Sequence, residues 1–200
     1  MSIAGPDVAA ALERAATALI AARERLNAAD ARLGDGDTGT MLARSAEAVL
    51  RALPGAAAVH PSDVLRAAAE AIAAETGSSL GTLLSLGLRR CARHLAGRDP
   101  VTAGDMAAGM AAAATQMRTA GGARPGDKTV VDLVDEMAER TAEGATGAAL
   151  RAAAVRLMDD YRPRPCRIGR ARLYPEASKG ADDPGMLAGL VALEAICRDD

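Results

Sequence analysis

The 200-residue chain contains no phenylalanine, no tryptophan and only two tyrosines, Tyr161 and Tyr174. Sheets draw on aromatic and β-branched residues, and both are scarce here, which excludes a β-rich core. The three cysteines, Cys91, Cys166 and Cys197, are odd in number and far apart; they fit neither a disulfide framework nor a metal cluster and read as reduced thiols of a cytoplasmic protein. Only two histidines occur, His60 before a proline and His94 at a basic helix end, so no nucleophilic triad can be assembled. Basic and acidic side chains nearly balance, 24 against 26, without basic runs interleaved with aromatics, and nucleic acid is not an expected partner. No stretch approaches the roughly 18 apolar residues of a membrane span, and the start, Met1-Ser2-Ile3-Ala4, lacks an export signal.

What is abundant is alanine, about a quarter of the chain, alongside Leu, Arg, Glu and Met. These are strong helix formers, and alanine lets helix axes approach closely, so the expected class is all-α in one domain over 1–200. Val8, Leu12, Ala15, Leu19, Ala22 and Leu26 recur at alternating spacings of four and three, which predicts one helix of about six turns ending near Asp30. A glycine-rich loop leads to a second helix carrying Met41, Leu42, Val49, Leu50 and Leu53, stopped by Pro54-Gly55. A third starts at Pro61 with Ser62 or Asp63 as cap, a fourth spans 80–95, and Thr102 with Asp105 makes a capping box for a fifth. Asp127 caps a sixth with Val130, Val134 and Met137 inward, a seventh covers 146–161, and Pro184-Gly185 opens an eighth ending near Cys197. Segment 162–183 reads as a long structureless loop, the kind that serves as a lid or ligand clamp.

The strongest chemical signal is Asp30, Asp35 and Asp37, three carboxylates around a helix end and a glycine-rich turn. Like charges this close repel unless a cation lies between them, and an all-oxygen set suits Mg²⁺ or Ca²⁺ better than Zn²⁺. The alternative is a solvated acidic turn in which Asp35 and Asp37 cap the next helix. An EF-hand is excluded, because Thr40 and Ala46 stand where its glycine and glutamate belong. A second signal, 121–129, nearly spells a P-loop but inserts Asp127 before Lys128, one of only two lysines in the chain. Gly77-Ser78-Ser79-Leu80-Gly81-Thr82 at a helix start can offer backbone N–H groups to phosphate, and Gly169-Arg170-Ala171 with Asp183-Pro184-Gly185 adds a guanidinium from the long loop.

Taken in order, these segments resemble the nucleotide-binding L subunit of dihydroxyacetone kinases, whose pattern runs L-N-x-x-D-x-x-x-G-D-G-D-H-G-T-N-M, G-G-x-S-G, P-G-D-K-T, G-R-A and D-P-G. The matches are Leu26-Asn27, Asp30, 34–37, Gly39-Thr40, Gly77, Gly81, 125–129, 169–171 and 183–185. The resemblance implies an eight-helix antiparallel up-and-down barrel with ADP or ATP at one end. Its phosphates would be held through two Mg²⁺ by Asp30, Asp35 and Asp37. By the same likeness Thr38, Gly39, Thr40 and Met41 lie by the phosphates, and Ser79, Leu80 and Gly121 lie at the nucleotide. Val130 stands where an adenine-side Met is usual, and Arg170, as the catalytic cation, closes over the site with Asp183, Pro184 and Gly185.

The implied reaction is phosphoryl transfer to a short ketose held by a separate K subunit. Some members of the family take ATP directly; others keep ADP as a coenzyme that an M phosphoprotein recharges, and a homodimer is a further expectation. Thr38, Met41, Leu42 and Leu80 replace the family's His, Asn, Met and Ser, and Leu80 cannot hydrogen-bond phosphate, which implies weaker nucleotide binding or another sugar. The D-G-D-T-G-T run also resembles the N-terminal domain of fatty acid kinases, which lacks P-G-D-K-T and D-P-G. A non-enzymatic alternative is a nucleotide-sensing regulatory subunit.

Overall fold

Alanine-rich segments form ten α-helices among the residues described by the computed structural model, 2–53 and 60–197. They follow as α1 (Gly5–Ala21), α2 (Arg23–Asp30), α3 (Thr38–Ala52), α4 (Pro61–Glu75), α5 (Ser79–Leu95), α6 (Ala103–Gly121), α7 (Val130–Ala142), α8 (Gly147–Tyr161), α9 (Pro175–Ser178) and α10 (Pro184–Ile196). A 3₁₀ turn occupies Arg170–Leu173. Two-residue strands β1 (Ser2–Ile3) and β2 (Val101–Thr102) pair antiparallel and tie the N-terminal end to the start of α6. The fold is thus an all-α helical bundle. None of its helices is long and apolar enough to cross a membrane, among the described residues.

The helices pack as sequence neighbours: α1 on α3, then α3 on α4, α4 on α5, α5 on α6, α6 on α7, α7 on α8 and α8 on α10. Helix α10 also lies against α1. Without large aromatics, the interior is filled by aliphatics and small residues. One cluster gathers Val8, Val49, Val64, Leu65 and Leu95, and another gathers Leu26, Leu42, Leu133, Met158, Met186 and Leu190. Leu26 and Leu95 are fully buried, and truncating either to alanine would cost about 2–5 kcal/mol.

Four expectations change. The first stripe does not form one helix; it turns at Ala22, so that α2 leans on the start of α3, where a Cβ on Gly39 would overlap the Arg23 carbonyl oxygen. Helix α4 is capped by His60, not by Ser62 or Asp63: the His60 Nδ1 accepts from the Ser62 N–H at 3.2 Å, and its Nε2 donates to the Arg98 carbonyl at 2.8 Å. Helix α7 is capped by Thr129 in a capping box with Asp132, and not by Asp127, whose carboxylate instead accepts from the Arg124 N–H at 2.7 Å and closes the preceding loop. Segment 162–183 is not structureless, since it holds the 3₁₀ turn and α9. The Thr102–Asp105 box forms as expected; the stop at Pro54-Gly55 lies outside the described residues.

Candidate functional site

Helix α2 ends at Asp30, and the chain reverses over 31–37 into α3. Asp30 is buried, and its Oδ2 accepts from the N–H groups of Gly36 at 3.0 Å, Asp37 at 3.0 Å and Thr38 at 3.2 Å. Three donors on one carboxylate oxygen fix the turn, because hydrogen bonds to an ionised acceptor are the strong ones. The start of α3 is therefore capped from the preceding helix: Asp37 occupies the N-cap position without a side-chain capping bond. Asp35 pairs with the Arg170 guanidinium. Capping by Asp35 and Asp37 is thus not what holds this turn.

Asn27 clamps the next turn, its Oδ1 accepting from the Thr40 N–H at 2.9 Å and its amide donating to Thr40 Oγ1 at 3.0 Å. The Met41 N–H donates to the Asp37 carbonyl, and its side chain packs partly against the second core cluster. The backbone donors of Thr38, Thr40 and Met41 are thus already engaged within the protein.

One carboxylate oxygen from each of Asp30, Asp35 and Asp37 lies within 4.8 Å of the others. Ligand oxygens around one Mg²⁺ lie up to about 4.2 Å apart, and around one Ca²⁺ up to about 5 Å. The trio therefore fits a hard cation after at most a small side-chain rotation. With Asp30 Oδ2 committed to the backbone, its Oδ1 is the oxygen left to ligate. Asp35 and Asp37 are exposed, which leaves room for the water ligands that Mg²⁺ keeps.

A second group converges from four other helix ends. A Cβ built on Gly185 would lie 3.1 Å from Asp183 Oδ1, 3.5 Å from Val130 Cβ and 3.7 Å from Leu80 Cδ1, and one on Gly121 would lie 3.2 Å from Leu83 Cδ1. The starts of α5, α7 and α10 and the end of α6 therefore meet. At α5 the Ser78 hydroxyl accepts from the Gly81 N–H at 3.0 Å, and Thr76 Oγ1 accepts from the Ser78 N–H at 3.2 Å. A side chain at Gly81 would overlap that Thr76 hydroxyl. Ser79 is exposed at the first turn, whereas Leu80 is half-buried against Val130 and Val131.

At α10 the Asp183 Oδ1 accepts from the Met186 N–H at 2.8 Å, and Pro184 is buried beside it. Burial pushes the Asp183 carboxyl up to about 6, although the Met186 and Gly185 N–H groups and the Lys128 charge act the other way.

Segment 162–183 connects these groups. Arg170 lies on its 3₁₀ turn, and Ala171 packs with Leu33, Cys166 and Ala181 under the aspartate turn. Lys128, in the left-handed region at φ 64° and 1 % exposed, turns inward instead of toward an anion. Its ammonium donates to the carbonyls of Arg162, Arg164 and Ser178 at 3.0, 2.8 and 2.8 Å. The other lysine, Lys179, pairs with Glu176 at the surface. The supporting roles of Thr76 and Ser178 carried no sequence signal beyond a hydroxyl near a glycine.

The sequence profile of the DAK2 domain family matches residues 32–198. The chain is 35% identical over 191 residues to the D-erythrulose kinase of Mycolicibacterium smegmatis, covering 89% of this chain and 32% of that protein. It is 30% identical over 198 residues to the triokinase/FMN cyclase of Homo sapiens, covering 94% and 34%. The native crystal structure of the dihydroxyacetone kinase of C. freundii superposes with a TM-score of 0.74 at 25% identity, over 95% of this chain and 34% of that one. The structure of that kinase with AMP-PNP and Mg²⁺ gives the same score at 24% identity, over 98% and 34%. The chain spans about a third of the length of each of these relatives.

Proposed function

Because the chain belongs to the DAK2 domain family, we propose that it is the Mg²⁺-nucleotide-binding part of a dihydroxyacetone-type kinase. In this reading residues 1–200 form one domain, and the circuit of helix pairs from α1 through α10 and back is a closed eight-helix barrel with the nucleotide at one end. The observation that carries the proposal is the aspartate trio: one carboxylate is oriented by three backbone donors, and another is paired with Arg170. Asp30 caps α3, but that cap does not require Asp35 and Asp37 to bring their carboxylates to it.

The donor set is hard oxygen and fits Mg²⁺, which when bound supplies neutralisation of phosphate charge. Asp30 holds its place through the turn, while Asp35 and Asp37 complete the ligand set. The first-turn N–H groups of Ser79 and Leu80 have no intrahelical partner and suit a phosphate oxygen. Leu80 and Val130, in contact around Gly185 beside Gly121, give an apolar wall for the adenine ring. Arg170 brings a positive charge that can pass from Asp35 to the transferring phosphoryl group. Asp183, Pro184 and Gly185 close the adenine side.

Two relatives are named for kinases acting on erythrulose and trioses, so a short ketose is the proposed acceptor class. Since the chain covers only a third of them, a K-type partner would carry the acceptor site. Calorimetric titration of ADP and ATP, with Mg²⁺ and then with it chelated, tests the reading. Binding that requires Mg²⁺ supports it, and a strong ADP preference points to recharging by a phosphoprotein. Absence of binding in both conditions overturns it.

A further inference from the structure

The buried lysine is the feature that the nucleotide reading leaves unused. A buried ammonium needs its donors satisfied, and Lys128 satisfies all three on carbonyls that belong to a single stretch of chain, two near its start and one sixteen residues after the first. The stretch between them carries Arg170. Around this point the closure is reinforced: Ser178 Oγ accepts from the Cys166 N–H at 2.8 Å and donates to the Pro175 carbonyl at 2.7 Å, and the Gly180 N–H donates to the Arg162 carbonyl at 2.8 Å. The Arg167 N–H reaches back to the Asp127 carbonyl at 3.2 Å, next to Lys128 itself. Lys128 adopts a positive φ that side chains rarely take, and that conformation aims its stem into the loop. An arginine fork is planar and would not match three converging carbonyls, so the identity of this residue in an arginine-based chain has a geometric reason.

We propose that Lys128 is a positioning residue for the phosphate end of the nucleotide site: its ammonium gathers the carbonyls of Arg162, Arg164 and Ser178 and so holds the intervening strap with Arg170 against Asp35. The inference rests on the nucleotide reading above. It predicts that the strap opens as a unit when the ammonium is removed, while the two large core clusters stay packed. The free thiols provide the readout. Cys166 belongs to the strap, its thiol buried beside Leu33 and Ala171, whereas Cys91 is buried in the first core cluster, away from it.

The test compares the wild-type chain with Lys128→Met, by timed thiol modification with peptide mapping and by Mg-ADP titration. The expected result is that Cys166 reacts about ten-fold faster or more in Lys128→Met while Cys91 keeps its wild-type rate, as local opening requires. Mg-ADP should bind about ten-fold more weakly, and the same change made on Arg170→Ala should add at most about two-fold, because the residues act through one strap. Equal acceleration of Cys166 and Cys91 would mean general destabilisation and overturn the proposal, as would unchanged nucleotide binding or additive losses in the double variant. A wild-type chain that binds no Mg-nucleotide would overturn the functional reading and the nucleotide role of Lys128 together. Failure confined to Lys128→Met leaves the functional reading standing.

Discussion

Asp37→Asn separates a metal ligand from a structural carboxylate, because the structure gives it opposite effects with and without cation. Its side chain makes no capping bond to α3, so removing the charge deletes no hydrogen bond at the helix start. What it does remove is repulsion: with ligand oxygens within 4.8 Å of one another, each carboxylate pair costs about 1 kcal/mol in a water-like dielectric, before salt reduces it. Asp35 is partly neutralised by Arg170, so the net relief at Asp37 is about 1 kcal/mol or less, a rise of roughly 2–4 °C in Tm. Scanning calorimetry in chelator should therefore show Asp37→Asn slightly more stable than wild type, and the order should reverse in Mg²⁺ with ADP. Asp30→Asn must behave differently, since its Oδ2 holds three N–H groups. Weakening three charge-assisted bonds to neutral ones costs about 2 kcal/mol, visible in chelator as well as in Mg²⁺. A destabilised Asp37→Asn in chelator, or Mg²⁺-dependent nucleotide binding that survives it, would refute the reasoning.

Asp183→Asn keeps a good N-cap and should remove a pH dependence. Its native carboxyl titrates near 6 against an ordinary 3.8, so the folded state binds the extra proton and stability falls as pH rises from about 4 to 6. Urea denaturation should show the variant gaining on wild type across that window by at most about 3 kcal/mol, and a pH-independent difference would contradict it. Gly39→Ala places a methyl onto the Arg23 carbonyl and should cost about 1–3 kcal/mol or more by forcing α2 and α3 apart, measured by denaturant midpoint. Arg170→Ala, at a side chain 64% exposed, should leave Tm within about 1 °C while slowing phosphoryl transfer at least about ten-fold with a K-type partner. A Tm loss of several degrees with unchanged turnover would reassign Arg170 to folding.

The helices were legible because alanine-rich stripes with period 3.6 dominate the chain, and the Thr102–Asp105 box was legible because both halves are local in sequence. The break at Ala22 was not, since the packing it goes with, the Arg23 carbonyl against Gly39, joins residues sixteen apart. The cap of α4 was misplaced for the same reason: the His60 ring is oriented by the Arg98 carbonyl, thirty-eight residues away. At the site, spacing alone put Asp30, Asp35 and Asp37 together and left capping against metal open. The hydrogen bonds remove capping by Asp35 and Asp37, because the buried Asp30 caps the start of α3 in their place. Lys128 stood out by rarity, yet its partners are carbonyls, which no side-chain pattern reports.

The hydrogen bonds of the aspartate turn also bear on how phosphate could be held. At α3 the donors of Thr38, Thr40 and Met41 already serve Asp30, Asn27 and Asp37, so an anion there could gain those three N–H groups only by breaking existing bonds. A cation on the trio asks for none of them, since Asp30 Oδ1, Asp35 and Asp37 are acceptors. In the proposed function the trio would therefore draw phosphate to α3 mainly through a metal, and the first-turn donors of α5 would offer direct contact across the site. In the proposed function, this division would make Mg²⁺ dependence a consequence of the turn's own hydrogen bonding, and Leu80 in place of a serine would cost little. The N–H at that position remains whatever the side chain is, so Leu80→Ser should change nucleotide affinity by no more than a few-fold, about 1 kcal/mol for one hydroxyl, while Asp37→Asn abolishes Mg²⁺-dependent binding.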